Sequence, residues 1–132
     1  MLDHVSVGAR DVARARGFYR PVLEVLGLRI IDEAPGRFVD FGREAGRPVF
    51  SVETPVDGEP ATAGNGVHVA FRAASTEAVE AFHAAALAHG GRSDGGPGPR
   101  PIYGPGYYSA FARDPEGNKI EAVWHGAADL ED

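Results

Sequence analysis

The sequence predicts an α+β domain built from two tandem copies of one plan, a strand and a helix followed by three more strands. Three observations carry this. His4 and His68 lie in similar strand-like stretches, residues 2–8 and 66–71, and are 64 positions apart. Each stretch is followed by a short break and then a run with apolar residues at helical spacing. Each run ends at a glycine, Gly27 and Gly90, which are 63 positions apart. Glycine tolerates the left-handed conformation just past a helix end. A period of this length is too long for a solenoid unit and fits a duplicated module closing one domain.

Taken in order, residues 2–8 alternate as a strand, Ala9-Arg10-Asp11 breaks it, and Asp11 is a fitting N-cap. Val12, Ala15, Phe18, Tyr19, Val22 and Leu26 then define one face of a helix over 12–26. Pro21 lies inside that pattern, so a kink or a split is expected there. Strands follow at 28–33, 37–41 and 48–53. A turn-rich loop over 54–66 leads to the second copy. There a strand at 67–72 precedes a helix at 77–89 capped by Ser75 or Thr76, and strands at 107–113 and 118–124 close the pattern. One strand is missing between Gly91 and Tyr107, because residues 95–105 hold too much glycine and proline to be strand throughout. The expectation is a single domain over 1–132, with modules at 1–56 and 66–126.

Composition narrows the function. The 132 residues can form a core without staples, and 43% hydrophobic with 24% charged residues is ordinary for a globular chain. A net charge of −6 with no long basic run argues against nucleic acid, whose phosphates need a basic face. No stretch approaches a membrane span, and residues 1–20 lack a charged-then-apolar leader pattern. With no cysteine there are no disulfides, thiolate ligands or cysteine nucleophiles. The expected setting is cytoplasmic, and any metal must be held by nitrogen and oxygen.

Strand alternation says which side chains share a face. His4 and Ser6 oppose Val5 and Val7. His68, Ala70 and Arg72 oppose Val67, Val69 and Phe71. Lys119, Glu121, Val123 and His125 oppose Ile120, Ala122 and Trp124. Each of His4, His68 and Glu121 thus lies across from an apolar set that can pack under a helix. Two imidazoles and one carboxylate leave open positions on a divalent ion, which is what separates a catalytic from a structural centre. Around them, Arg100, Tyr103, Tyr107 and Tyr108 form a glycine- and proline-rich loop that would overhang the site. Its phenols would face a substrate oxygen, Tyr107 foremost. Arg113 would reach an anionic group. Asp114-Pro115-Glu116-Gly117 reads as turn chemistry. His83 and His89 read as solvated helix residues, and His125 as a rim residue.

The histidine strand of residues 2–7 with Phe18-Tyr19 downstream, the stretch 66–71, and Asp114-Pro115-Glu116-Gly117-Asn118 running into Ile120-Glu121 together resemble the vicinal-oxygen-chelate superfamily. That group includes glyoxalase I, fosfomycin-resistance enzymes and extradiol dioxygenases. The resemblance spans residues 2 to about 125. It implies two βαβββ modules whose curved mixed sheets make an open cup, with helices outside and one divalent ion (Zn, Ni, Mn or Fe) inside. It also implies a small substrate bound through vicinal oxygens, with lyase or isomerase, thiol-transferase and dioxygenase chemistry all open. Glu121 is then the candidate general base, since no spare carboxylate reads as pointing inward. The alternative is a metal-free sequestering protein of the bleomycin-resistance type, with Phe38, Phe50, Tyr107 and Trp124 as aromatic walls. Glu53 is a possible fourth ligand. Aligning Gly117–Glu121 with Gly46–Phe50, however, sets Phe50 opposite Glu121, as a substrate-facing residue, and turns Glu53 away. Unpaired sheet edges, and the habit of relatives this size, point to a homodimer.

Overall fold

The computed structural model describes residues 1–126; the last six residues of the predicted domain lie outside the described part. The first module runs β1 (Val5–Gly8), α1 (Val12–Glu24), β2 (Arg29–Ala34), β3 (Phe38–Glu44) and β4 (Arg47–Glu53). The second runs β5 (His68–Arg72), α2 (Thr76–Ala88), β6 (Arg92–Pro99), a single 3-10 turn (Pro101–Tyr103), β7 (Tyr108–Arg113) and β8 (Lys119–Trp124). Each module forms its own four-stranded mixed sheet, ordered β1-β4-β3-β2 and β5-β8-β7-β6. The first strand of each module is therefore an edge strand, paired in parallel with the last. No ladder joins the two sheets among the described residues.

Local chemistry explains the boundaries. The Asp11 side chain accepts the Arg14 amide and Ser75 accepts that of Ala78, so both helices start at satisfied caps. Pro21 stays inside α1 without ending it. The missing eighth strand is β6. It is an edge strand, and Pro97 is tolerated there because an edge residue can turn its nitrogen away from the ladder. Two register shifts at its glycines complete the accommodation.

The core is a single cluster between the sheets and the helices. Phe18, Tyr19, Phe41, Phe50 and Phe82 are fully buried. Tyr19 and Phe50 lie 5.0 Å apart, and Phe50 meets Phe71 of the second module at 5.1 Å. Gly91 belongs to the same junction, since a Cβ there would come within 2.5 Å of the Phe18 ring and 2.6 Å of the Arg113 carbonyl. Val7, Val69 and Trp124 are partly buried against this core, and Phe71 and Ile120 are buried. Val67 departs from the expected alternation. It precedes the first paired residue of β5 and is 56% exposed. The rule also fails on β8, an interior strand, where Glu121 and Val123 are buried as well.

The expected substrate-facing role of Phe50 is overturned by this packing. Its ring is core, so Phe50→Leu should cost about 1.5 kcal/mol through the volume and ring contacts it removes, measured by urea unfolding, and leave small-molecule binding unchanged.

Between the modules the Asp114 turn works as a clasp. The buried Asp114 carboxylate accepts hydrogen bonds from the Tyr19 hydroxyl (2.5 Å), the Asn118 side-chain amide (2.9 Å) and the amides of Glu116 (2.9 Å) and Asn118 (2.8 Å). Asn118 also donates to the Gly8 carbonyl (3.1 Å), and Glu116 receives Arg14 (3.0 Å). These bonds tie α1 and the end of β1 to the turn before β8. No helix among the described residues is long and apolar enough to cross a membrane.

Candidate metal and substrate site

The parallel register of β5 and β8 sets Ala70 beside Glu121, so His68 and Glu121 project from the same face one pleat apart. Their side chains meet, with His68 Nε2 3.1 Å from Glu121 Oε1. Glu121 is only 2% exposed, while His68 remains accessible. The other carboxylate oxygen accepts the Tyr107 hydroxyl at 2.5 Å. Burial, with Glu121 next to it, pushes the Tyr107 hydroxyl up to about 12, so at neutral pH it is a donor. The Phe111 ring, opposite Glu121 on β7, packs edge-on against His68 at 6.1 Å. Tyr103 and His125 flank Tyr107 at 5.3 and 5.2 Å.

His4 is elsewhere. It lies just ahead of β1 on the other sheet, bonded to Asp3 at 2.7 Å, and lines an open cavity of about 690 Å³. That cavity also takes Ser6, Arg37, Phe38, Asp40, Ser51 and Glu53. Among the described residues of one chain, no three His, Asp or Glu side chains come close enough to hold a metal. A buried carboxylate facing one imidazole and one neutral phenol nevertheless suits a cation, since an ionised group out of water needs a compensating charge. The nitrogen and oxygen donors fit Zn, Ni, Mn or Fe in type. His68 and Glu121 would supply two of them, with His4 just ahead of the edge strand of the other module.

The register also corrects the alignment of the two modules. Ser6 pairs with Ser51 as Ala70 pairs with Glu121, so with His4 matching His68 the counterpart of Glu121 is Ser51, not Phe50. A one-residue slip exchanges the faces of a strand. With Phe50 in the core, Glu53 falls on the cavity face, one pleat beyond Ser51. Asp40 is there too, accepting the Ser51 hydroxyl at 2.6 Å. The expectation that no spare carboxylate points inward is thus wrong for this module.

Three other expected substrate contacts are engaged within the fold. The Arg100 guanidinium donates to the carbonyls of Gly96, Gly98 and Ser109, stapling its own loop. Tyr108 turns to the helix side and donates to Glu80 of α2 at 2.8 Å. Arg113 donates to Asp94 (2.9 Å) and to the Gly117 carbonyl (3.0 Å). Tyr103 stays exposed beside Tyr107. Asp40, Ser51 and Phe111 are the residues that sequence reasoning passed over; correct register in β3, β4 and β7 would have found all three.

Paired βαβββ modules, each with its own four-stranded mixed sheet, define the architecture of a known class of proteins. Residues 1–122 match the model of the Glyoxalase/Bleomycin resistance protein/Dioxygenase superfamily, and the chain belongs to that superfamily. A glyoxalase/bleomycin resistance protein from Albidiferax ferrireducens is similar at 37% identity, over 94% of this chain and 98% of that one, with a TM-score of 0.81. A lactoylglutathione lyase from Agrobacterium tumefaciens shares 26% identity over 94% and 92% of the two chains, with a TM-score of 0.63. A superfamily enzyme from Burkholderia phytofirmans, 21% identical over 93% and 97%, shares the fold at a TM-score of 0.70. No curated protein matches the sequence.

Proposed function

We propose that the protein is a divalent-metal-dependent enzyme acting on a small substrate through two vicinal oxygens, and that it works as a homodimer. The observation that carries the reading is the buried Glu121 carboxylate held against His68, with an imidazole at the matching place just ahead of the other module's edge strand. In a two-fold dimer the β1 edge of one copy would adjoin the β5 edge of its partner, bringing His4 to the His68–Glu121 pair. Exposed apolar residues just ahead of these strands, Leu2 and Val67, favour such burial.

A bound ion would supply Lewis-acid stabilisation of negative charge developing on substrate oxygen. This chain's residues do the rest. Ser51, in the place equivalent to Glu121, would add no carboxylate to the donors that hold the ion. Tyr107 fixes the Glu121 carboxylate and holds a proton beside it. Asp40 and Glu53 offer proton acceptors on the facing module. The cytoplasm, with its reducing conditions, suits a chain without cysteine.

Metal analysis of tag-free protein, offered Zn, Ni, Mn and Fe in turn, tests the reading. One ion per chain is expected, with loss of stoichiometric metal in His68→Ala and no loss of fold. Full retention in that variant would sink the metal assignment, and tight small-molecule binding by metal-free protein would favour the sequestering alternative. Sedimentation at micromolar concentration should give twice the 13.9 kDa chain mass; a monomer would refute the shared site.

A further inference from the structure

The open face of the second module places Lys119 and Arg113 around one carboxylate, Asp94, among the described residues, although the protein as a whole is acidic. Lys119 is the register partner of His68 and stands two residues before Glu121, on the same face. Its ammonium lies 4.8 Å from the centre of the Phe111 ring, the ring that also packs against His68. The Arg100 guanidinium lies 5.1 Å from the same centre. Asp94 is the acidic partner of this corner, and it is shared. It binds Arg113 at 2.9 Å and Lys119 more loosely at 3.6 Å. Burial works against its charge, yet Lys119 and Arg113 hold its carboxyl below the usual value. One carboxylate therefore serves two cations, and the hydrogen bonds given to Arg100 all go to neutral carbonyls.

Resting on the chelation reading above, we infer that the substrate carries an anionic group, a carboxylate or a phosphonate, besides its vicinal oxygens, and that Lys119 receives it. The ammonium is a third exposed, less tightly paired than Arg113, and backed by an aromatic face that stabilises a cation. Its three rotatable donors suit an anion arriving from the His68 side. Phe111 fixes the lateral position, so the chelated oxygens and the anionic group are read by neighbouring groups of one rigid sheet. This departs from the expectation drawn from the sequence, which gave anion recognition to Arg113. Arg113 is occupied in the fold by Asp94 and the Gly117 carbonyl.

The test uses three hydroxamates that chelate alike and differ in charge: acetohydroxamate, the monohydroxamate of malonate, and phosphonoacetohydroxamate. Each is titrated calorimetrically into protein loaded with whichever of the four metals binds at one per chain. Wild-type protein should bind one or both charged probes about tenfold tighter than acetohydroxamate, as a charge-assisted contact implies. The probe that gains more distinguishes carboxylate from phosphonate. In Lys119→Gln the ratio of charged to neutral affinity should fall to about one, and Lys119→Arg should recover most of it. The Asp94–Arg113 pair is retained in both variants, and metal content with thermal unfolding checks that each is folded. Equal affinities in the wild type, or an advantage that survives Lys119→Gln, would overturn the proposal while leaving chelation intact. Failure to load metal, or to bind any of the three, would instead bring down the chelation reading, and the proposal with it.

Discussion

Asp114→Ala should lower unfolding stability by about 4 kcal/mol in urea titrations, because four donors lose one acceptor. Those donors, the Tyr19 hydroxyl, the Asn118 side chain and two backbone amides, converge on a carboxylate 1% exposed. Each unsatisfied group costs roughly 1–3 kcal/mol, and entering water offsets part of the sum. Set against a typical stability of about 5–15 kcal/mol, the loss takes a large share. Tyr19→Phe isolates one arm, at about 1.5–2 kcal/mol. It should also change the alkaline limb. Burial, and after it the Asp114 charge and hydrogen bond, raise the Tyr19 hydroxyl well above its ordinary value near 10. A raised folded-state value means that this contribution is complete below about pH 10 and is lost as pH climbs toward the folded value. Wild-type protein should therefore lose stability above pH 10 more steeply than Tyr19→Phe. Parallel alkaline limbs would refute that role.

The second large effect is recovery rather than loss. His4→Ala and Glu121→Ala proteins should each be devoid of stoichiometric metal, yet a mixture allowed to exchange subunits should regain it. In a hybrid dimer one site would combine both defects and the other would be intact. Random exchange should thus restore about one quarter of the wild-type sites. Inductively coupled plasma analysis of the exchanged mixture reads this directly. Recovery of none, under conditions where mass spectrometry shows hybrids, would mean that His4 and Glu121 serve the same copy.

Periodicity made the modules legible. Helix faces, caps and the strands of both halves follow from the order of apolar residues, within three residues at each end. Strand β6 was not legible, because glycine and proline argue against pairing and only its position at the sheet edge makes them acceptable. The Phe50 assignment failed for a specific reason. It took Gly46 and Gly117 as equivalent, but five residues separate Gly46 from Ser51 and four separate Gly117 from Glu121. Asn118 is drawn into the clasp before its strand begins, whereas Arg47 enters β4 at once. The clasp itself joins residues 95 positions apart, Tyr19 and Asp114, which no local pattern signals. Tyr107 donates to Glu121, and Arg100 and Tyr108 are held by partners that spacing does not reveal.

Placing His4 at the edge of one sheet and His68 with Glu121 near the edge of another has a thermodynamic consequence. If the donors meet only across two copies, ion capture and subunit association are linked equilibria, and each must strengthen the other by the same factor. Apparent metal affinity would then rise with protein concentration, and dilution alone would release the ion. Chelators would loosen the dimer in turn. Such a protein would be half-equipped when scarce and fully equipped when abundant, so its expression level would act on activity more steeply than in proportion.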